Sequence, residues 1–410
     1  MTAPDFDVLV IGGGVAGLAC AELLRQAVAD RHPAVRIGLL EAHPPGAPAP
    51  DAAPGLRVFA IAPAARAILD TCGVWQNLPP SRVGAYERMR VWQADSSPFG
   101  AGSLGFDAAD SGLPELGHIV DHDWLRAGLW HALASRDGNA VALITGTVPA
   151  ALEQNSGHIG VRLDDGTVLR TRLLIGADGV DSWVRDRLNV PSSGRAYGQL
   201  ALVGHVSSER PHQRTAWQCF TRGGPLALLP LADGRSSIVW SCFEPEARAL
   251  LALSDGEFSS RLTAATSGVL GALQITTARV TFPLAARHSH RYTGERFALI
   301  GDAAHQIHPL AGQGVNLGLL DAAALAQTLA AHLTGTRLAD PGDAQVLRHY
   351  ERCRKGANLL TMVAMDGLHR VFTSEWTGVT RAATAGLGVV DRLPPLKRLL
   401  AEHATGIATR

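Results

Sequence analysis

The sequence lacks the marks of several protein classes. Its 37 lysines and arginines balance 37 aspartates and glutamates, so charge does not indicate a nucleic-acid partner. The five cysteines are odd in number and widely spaced, and no C-x-x-C pair is present, which argues against a disulfide framework or a metal site and for a reducing cytosol. No internal repeat or low-complexity tract is visible. A chain of 410 residues can bury a large core, in two domains or one bilobal domain.

Long apolar runs are missing as well. No uninterrupted stretch reaches the roughly 20 residues that span a bilayer. The first apolar run, from Val8, follows acidic residues instead of a basic segment, and Gly12-Gly13-Gly14 interrupts it, so no signal peptide is evident. We therefore expect a soluble, cytoplasmic protein that contacts a membrane only at its surface.

The N-terminal stretch has the pattern of a dinucleotide site. An apolar strand, Phe6–Ile11, runs into the turn Gly12-x-Gly14-x-x-Gly17, and helical spacing follows. A second apolar strand ends at Glu41, 24 positions after Gly17, near the expected place of a ribose-binding carboxylate. The order of strand, glycine turn, helix, strand and acid predicts a nucleotide site here.

A second strand end carries another acid. An apolar run closes at Asp178-Gly179 and turns toward a helix that contains Arg185. Asp178 can accept hydrogen bonds from a ligand. Arg185 is either a phosphate contact or a charge on a helix surface.

A third strand end delivers Asp302 into a loop with two glycines. The strand Phe297–Ile300 precedes it, and the loop, which contains Gly312 and Gly314, leads at Asn316 into a helical pattern. Glycines allow a ligand close to the backbone, and free N–H groups at a helix N-terminus favour a negative charge. This stretch therefore predicts a site for a polar, partly anionic ligand.

The three strand ends meet if they belong to one parallel sheet, because ligands bind beyond the carboxyl ends of such strands. We predict an α/β protein with a doubly wound nucleotide-binding domain formed by residues 1–75, 118–185 and 285–375. Short alternating strands predict an interleaved β-sheet substrate domain from 76–117 and 186–284. Its strand aromatics are expected to be core residues, with one or two lining a pocket: Trp217, Phe220, Trp240 and Phe243. Residues 376–410 form a C-terminal helical segment.

The third stretch resembles a known motif. Its order, G-D-A-A-H-x-x-x-P-x-x-G-x-G-x-N-x-G-x-x-D-A, is similar to the second flavin motif of FAD-dependent aromatic hydroxylases. Over nearly its whole length the chain resembles the ubiquinone-biosynthesis hydroxylases of the UbiH, UbiI and UbiF type, with LIGADGVDSWVR, GGPLALLPLADGRSSIVWS and YERCRK in support. The resemblance implies a Rossmann-like FAD-binding domain and a monooxygenase. NADPH or NADH reduces FAD, O2 forms a C4a-hydroperoxide, and the ring of a polyprenylated phenol is hydroxylated.

The resemblance also implies roles for particular residues, and no metal. The pyrophosphate lies on the N-terminal helix, the ribose on Glu41, and the backbone from Pro309 to Asn316 faces the isoalloxazine ring. His305 and His308 either relay protons or are structural, and with Pro309 they form the expected catalytic set. The expected FAD-binding residues are Gly12, Gly14, Gly17, Glu41, Arg57, Asp178, Gly179, Asp302, Gly312, Gly314, Val315 and Asn316.

One position departs from the soluble phenol hydroxylases, which usually carry an arginine where this chain has His122. The departure points toward the quinone-biosynthesis branch. His122 could equally be a structural helix-cap residue, and we assign it no ligand.

The C-terminal segment leaves its own question open. From residue 381 onward it has five basic residues against two acidic ones, and Leu393, Leu396, Leu399 and Leu400 share one helical face. It is either a terminal helix docked on the body or a contact with a membrane surface. Partners of a ubiquinone-biosynthesis complex and a homo-oligomer are further expectations. Two other functions stay open: a weakly active FAD-bound scaffold, and a flavin monooxygenase for another aromatic substrate.

Overall fold

The computed structural model describes residues 3–29, 34–49, 52–135, 141–307, 312–333, 339–374 and 376–406. The strands are β1 Phe6–Ile11, β2 Ile37–Glu41, β3 Val58–Ile61, β4 Val83–Tyr86, β5 Arg88–Gln93, β6 Leu104–Asp107, β7 Gly117–Asp121, β8 Ala142–Thr145, β9 Pro149–Gln154, β10 Ile159–Leu163, β11 Val168–Gly176, β12 Ser192–Ser208, β13 Thr215–Thr221, β14 Gly224–Pro230, β15 Ser236–Phe243, β16 Leu273–Ile275, β17 Val280–Ser289, β18 Thr293–Gly294, β19 Phe297–Leu299 and β20 His305–Gln306. The helices are α1 Val15–Ala29, α2 Pro63–Thr71, α3 His122–Ala134, α4 Trp183–Arg187, α5 Glu244–Ala252, α6 Asp255–Ala265, α7 Gln313–His332, α8 Ala344–Phe372, α9 Thr377–Asp391 and α10 Pro394–Thr405.

The first sheet is built on parallel strands in the order β19-β11-β1-β2-β8. The short β18 pairs antiparallel with β19 at one edge, and β9 and β10 form an antiparallel extension of β11. Helix α1 packs against α3 and α7. The three predicted strand ends therefore meet at one edge of one sheet, and the predicted doubly wound fold is confirmed.

Continuous apolar runs explain why the central strands lie inside. Leu9 of β1, Leu174 of β11 and Leu299 of β19 are fully buried, as strands covered on both faces require. Burying each such side chain stabilises the fold by roughly 1.5–3 kcal/mol. This core fixes the strand ends rigidly, which matters for the site described below.

The second sheet is mostly antiparallel, in the order β20-β17-β12-β15-β14-β13-β5-β6, with β16 paired to β12. The pairing of β5 with β13 is parallel, which joins residues 88–93 to the later strands. Helices α5 and α6 cover one face, where Trp240 packs near Phe258. The strands β3, β7 and β4 form a small third sheet. The domain boundaries given above stay a prediction.

The C-terminal part differs from the expectation. The sequence suggests one helix ending at Met365 and another starting at Leu368, but α8 is a single helix of 29 residues because no proline interrupts it. Helix α9 packs on β5 and β6, where the Gly105 N–H donates to Asp391 at 3.0 Å.

One helix in the described part of the chain, α7, is long and apolar enough to cross a membrane by length and composition alone. Half of its most apolar window is buried inside the structure, and it packs against α1 and α8. Its apolar character is therefore that of a core helix.

Candidate functional site

A cavity of about 1040 Å³ lies between the carboxyl edge of the first sheet and the uncovered face of the second. This is at the upper end of the roughly 300–1,000 Å³ that ligand pockets usually have. All three predicted strand ends line it. From the predicted cofactor-binding residues the structure brings together Gly12, Gly14, Glu41, Arg57, Asp178, Gly179, Asp302, Gly312, Gly314, Val315 and Asn316.

The glycine turn between β1 and α1 has two different functions. A Cβ atom on Gly17 would lie 2.0 Å from the carbonyl oxygen of Gly12, so this glycine keeps the turn closed and does not line the cavity. A Cβ atom on Gly14 would meet no atom of the chain within 4 Å, because that position opens into the cavity. The first N–H groups of α1 therefore face a space where an anionic group can approach.

Glu41, at the end of β2, is held in place by backbone donors. Its carboxylate accepts from the N–H of Gly13 at 2.6 Å and from the N–H of His43 at 2.8 Å. The guanidinium of Arg126 lies 3.3 Å from it and donates to the Gly13 carbonyl at 2.8 Å. A carboxylate has about four acceptor sites, so Glu41 retains capacity for a ligand hydroxyl.

Asp178, at the end of β11, is engaged within its own turn. It accepts from the Ser182 hydroxyl at 2.5 Å and from the Val184 N–H at 2.9 Å, which fixes the start of α4. Burial nevertheless raises the pKa of Asp178. The residue lines the cavity while it orders the loop that carries Gly179.

Arg185 fits neither of the two interpretations of the sequence. Its side chain is only 2% exposed and donates to the carbonyls of Val180 at 3.0 Å and Ala303 at 3.3 Å. It therefore ties the second strand end to the third. Arg185 is therefore neither exposed on the surface nor part of the cavity lining.

Asp302 is half-buried at the third strand end, and desolvation raises its pKa. A Cβ atom on Gly314 would lie 4.0 Å from its carboxylate, so the loop after Asp302 returns close to it. His308 and Pro309, two of the three predicted catalytic residues, lie outside the described residues. The first turn of α7 brings Gly314 and Val315 to the cavity wall.

Asn316 braces this loop from the first turn of α7. Its side-chain oxygen accepts from the Ala62 N–H at 2.9 Å, and its amide nitrogen donates to the carbonyls of Ala60 at 2.8 Å and Gly312 at 3.0 Å. A Cβ atom on Gly312, where φ is +61°, would lie 2.8 Å from the Ala60 side chain. The amide therefore closes the junction between the loop and β3, a partner more than 250 positions away that no local pattern could indicate.

His305, the third predicted catalytic residue, lies behind the loop and is absent from the cavity lining in the described part of the chain. Its Nε2 atom is 2.5 Å from the Asp321 carboxylate. That carboxylate also accepts from Arg354 at 2.8 Å, Asn358 at 3.0 Å and the Gly301 N–H at 3.1 Å. Burial raises the pKa of Asp321, but His305 and Arg354 outweigh it and lower the pKa to about 2. This geometry favours the structural interpretation of His305.

Arg57 and His122 stand side by side at the polar rim of the cavity. The guanidinium of Arg57 lies 5.3 Å from the centre of the Phe59 ring. His122 is the first residue of α3, whereas the cap is Asp121, so the helix-cap interpretation of His122 is wrong. Burial and the nearby Arg57 lower the pKa of His122, which keeps the imidazole neutral at pH 7.

The opposite wall of the cavity comes from the second sheet and is apolar. Strands β12 to β17 contribute no ionisable side chain to the lining within the described ranges. Their lining residues are Ala201, Val203, Ala216, Gln218, Ala227, Leu229, Ser237, Val239, Phe282, Pro283, Leu284 and Ala285. The expectation that a strand aromatic lines the pocket is wrong for Trp217, Phe220, Trp240 and Phe243. Strand alternation turns Trp217 and Trp240 to the face away from the cavity. Phe220 instead stacks on Phe372 at 4.1 Å, and Phe243 is 48% exposed and is not a core residue.

Comparison with known proteins agrees with this geometry. Residues 141–359 match the family model described as an FAD binding domain. The chain is 36% identical to the ubiquinone hydroxylase UbiL of Rhodospirillum rubrum, over 98% of this chain and 89% of that protein. It is 32% identical to the 3-demethoxyubiquinol 3-hydroxylase of Escherichia coli, over 99% of this chain and 100% of that protein.

The chain belongs to the ubiquinone-biosynthesis family of FAD-dependent aromatic-ring hydroxylases. Among solved structures, this hydroxylase is similar to PqsL, a probable FAD-dependent monooxygenase from Pseudomonas aeruginosa, with 25% identity, a TM-score of 0.73 and coverage of 93% of this chain and 99% of that one. It shares its fold with HpxO from Klebsiella pneumoniae complexed with FAD, at 19% identity, a TM-score of 0.73 and coverage of 96% and 98%. The predicted family, enzyme class and cofactor are confirmed.

The residues on the polar side of the cavity fit FAD. The open position at Gly14 gives a diphosphate access to the N-terminus of α1, and Glu41 can accept from a ribose hydroxyl. Gly312 and the first turn of α7 are held against β3 by the Asn316 amide, so their backbone groups are fixed at the cavity wall. Among the predicted binding residues that the structure describes, Gly17 alone acts from outside the cavity.

Proposed function

We propose that this hydroxylase acts on the ring of a polyprenylated phenol or benzoquinol intermediate of ubiquinone biosynthesis. The observation that carries the proposal is the division of one cavity into a polar half, which suits FAD, and an apolar half without ionisable side chains from β12 to β17. When bound and reduced by NADPH or NADH, FAD supplies the activation of O2. The relatives named above, a ubiquinone hydroxylase and a demethoxyubiquinol hydroxylase, support this substrate class.

The apolar half of the cavity selects among substrates through the free energy that each one loses when it leaves water. A neutral phenol with a hydrocarbon tail loses little when it leaves water for a wall of alanine, valine and leucine, whereas a carboxylate or phosphate without a partner there costs several kcal/mol. The same wall excludes water from the reacting ring. The ring hydroxyl can meet Gln218 or Ser237, the polar side chains that β13 and β15 contribute.

The two rival functions make different demands on this cavity. A catalytically weak scaffold needs the FAD-binding half alone. The presence of an apolar half beside it argues against the scaffold function. A monooxygenase for another aromatic compound remains compatible with the wall when that compound is neutral and apolar. Comparison of substrates distinguishes these functions.

The test is an absorption spectrum of the FAD-loaded protein under anaerobic conditions, before and after NADPH. We expect slow bleaching of the flavin bands alone, and faster bleaching with a prenylated phenol than with an anionic aromatic acid of similar ring size. With O2 admitted, the product should gain one oxygen atom that derives from 18O2. FAD that never bleaches supports the scaffold, and equal stimulation by the aromatic acid contradicts the proposed substrate class.

We propose a cytoplasmic location, in contact with the lipid phase that holds the substrate. The five free cysteines, four of them buried, suit a reducing compartment. Other proteins of ubiquinone biosynthesis and a second copy of the chain are proposed partners, which size-exclusion chromatography with light scattering tests. A mass equal to one chain at working concentration contradicts the homo-oligomer.

A further inference from the structure

The outer surface of the last three helices is unusually apolar. Twelve of the seventeen large apolar side chains that are exposed in the described part of the chain lie between residues 359 and 400. Trp376 is 78% exposed, and α8, α9 and α10 follow one another in contact. We call these twelve side chains the C-terminal apolar surface: Leu359, Leu360, Val363, Leu368, Val371, Trp376, Val379, Val389, Leu393, Leu396, Leu399 and Leu400. A concentration of this kind marks an interaction site.

Helix α10 carries this surface on one side and lines the cavity with the other. Ala401, Ala404 and Thr405 line the cavity, beside the residues of the FAD-binding loop. Leu396 and Leu399, 38% and 58% exposed, lie on the opposite side of the same helix. Because α-helical residues advance by about 100° each, positions 399 and 401 project in widely different directions. A single helix thus separates the substrate cavity from the apolar exterior.

The inner side of α10 is closed by small side chains and few polar contacts. The Gln313 side chain donates to the Ala404 carbonyl at 3.4 Å, and Lys397 lies 3.4 Å from Asp110. A helix with few buried apolar contacts opens at a low cost in free energy. Helix α10 is therefore the part of the cavity wall best suited to admit a long flexible tail.

The exposed charged side chains around the C-terminal apolar surface include three arginines. Arg381, Arg392 and Arg398 are exposed and have no ion-pair partner within the described ranges. Two neighbouring acids are already engaged: Asp366 accepts from the Tyr197 hydroxyl at 3.1 Å and pairs with Arg370 at 2.7 Å, and Asp391 accepts from the Gly105 N–H. Arginines that surround exposed leucines and a tryptophan are the composition of a helix that lies on an anionic bilayer.

We propose that the C-terminal apolar surface docks on the anionic face of a lipid bilayer, and that the tail of a lipid-borne substrate reaches the cavity past α10. This rests on the proposed function for the substrate and goes beyond it by naming the surface and the path. A bilayer fits better than a protein partner because the substrate is dissolved there and the apolar side chains are mixed with cations. A protein interface concentrates aromatic anchors in its centre and excludes charge from it.

The first experiment is flotation of the FAD-loaded protein with vesicles of phosphatidylcholine, with and without phosphatidylglycerol. We expect binding that needs the anionic lipid and weakens with salt. The double variant Leu396→Asp/Leu399→Asp should bind at least about tenfold more weakly, since the burial of one leucine is worth that much. The matched control is Val168→Asp, which alters a 39% exposed side chain in the hairpin of β10 and β11 and should bind like the wild type.

Either of two outcomes overturns the docking proposal. Equal flotation of the double variant and the wild type shows that this surface does not bind lipid. The second outcome is a wild-type protein that does not bind vesicles but forms a dimer, while the double variant is monomeric. That result assigns the surface to a second copy of the chain.

The second experiment compares a water-soluble phenol that has a short alkenyl chain with a long-chain phenol carried in vesicles. The double variant Leu396→Asp/Leu399→Asp should retain NADPH oxidation with the soluble phenol and lose turnover of the vesicle-borne one. Ala404→Trp, which narrows the inner side of α10, should lose the long-chain reaction selectively even in detergent. Equal loss for both phenols contradicts the path past α10. Vesicle binding without hydroxylation of any phenol instead contradicts the proposed function and leaves the docking intact.

Discussion

The two halves of the cavity are held by different forces. In the polar half the carboxylates of Glu41 and Asp178 have fixed donors, such as the Gly13 N–H at 2.6 Å from Glu41, so these ligand-facing atoms are set by hydrogen bonds. In the apolar half the wall is built of side chains such as Val239, whose van der Waals contacts have no preferred direction. A substitution that changes the shape of the polar half should therefore cost free energy of FAD binding, and one that adds a charge to the apolar half should cost free energy of substrate binding. Cofactor binding and substrate selection can consequently be altered separately.

The sharpest way to break the polar half is Gly17→Ala. Its Cβ atom would lie 2.0 Å from the Gly12 carbonyl, a backbone contact that cannot be relieved without opening the turn. We expect a loss of about 3 kcal/mol in the free energy of unfolding, and no measurable FAD binding. Urea unfolding and a flavin fluorescence titration provide the measurements.

Gly14→Ala is the matched control for that variant, because its Cβ atom meets no atom of the chain within 4 Å. It should leave the apoprotein within about 0.5 kcal/mol of the wild type while it weakens FAD binding. A Gly17→Ala protein that binds FAD normally would show that the turn tolerates the side chain.

A loss of stability of similar or larger size is expected behind the polar half, at Asp321. Asp321→Asn leaves Arg354 buried without its counter-charge and removes the carboxylate that His305 contacts, so unfolding at pH 7 should require about 3–5 kcal/mol less. The folded-state pKa of Asp321 is lowered from 3.8 to about 2. The stability that the carboxylate contributes is thus present above about pH 4 and is lost as the pH falls toward 2.

Urea unfolding at several pH values checks both statements about Asp321. The variant should lack this part of the acid dependence. Asp255→Asn, at a 77% exposed carboxylate paired with Arg279, is the control and should cost at most about 1 kcal/mol. Equal losses in the two variants would mean that the buried network contributes little.

The same contrast explains how much could be predicted from the sequence. Strand β1 has the bounds that its pattern predicts, Phe6–Ile11, because the hydrophobic period is a local property. Most motif residues lie at the cavity for the same reason, since each motif places its own side chains relative to one strand end.

What local patterns could not supply are partners distant in the chain. Asn316 reaches β3, and Asp321 reaches Arg354 and Asn358 on a different helix. The one signal that could have indicated Asp321 is its place inside the motif, where a carboxylate in an otherwise apolar helix needs a buried partner. Helix α10 was ambiguous because amphipathic spacing does not reveal which side faces a cavity.

In the apolar half the informative change is Val239→Glu. The side chain lines the cavity, so the substitution introduces a carboxylate into the wall to which β12 to β17 contribute no ionisable side chain within the described ranges. We expect FAD to bind normally and kcat/KM for the prenylated phenol to fall by roughly a hundredfold, which corresponds to about 3 kcal/mol of desolvation. NADPH oxidation and product formation are measured together, with Val239→Leu as the size-matched control that retains most of the activity. Loss of FAD from the glutamate variant would contradict the independence of the two halves.

The smallest effect concerns β7, in the small third sheet. His118 is buried against Trp75 and near Arg66, and burial, followed by the charge of Arg66, lowers its pKa from 6.5 to about 4. Between these two pKa values His118 binds a proton in the unfolded chain and not in the folded one. The free energy of unfolding therefore falls as the pH drops from 6.5 toward 4. Between pH 7 and pH 5.5 this histidine should account for about 1 kcal/mol, and His118→Gln should flatten the stability profile by that amount. Parallel profiles for variant and wild type would contradict the assignment, whereas a flatter profile for the variant assigns the mildest acid sensitivity to His118, above the pH at which Asp321 is protonated.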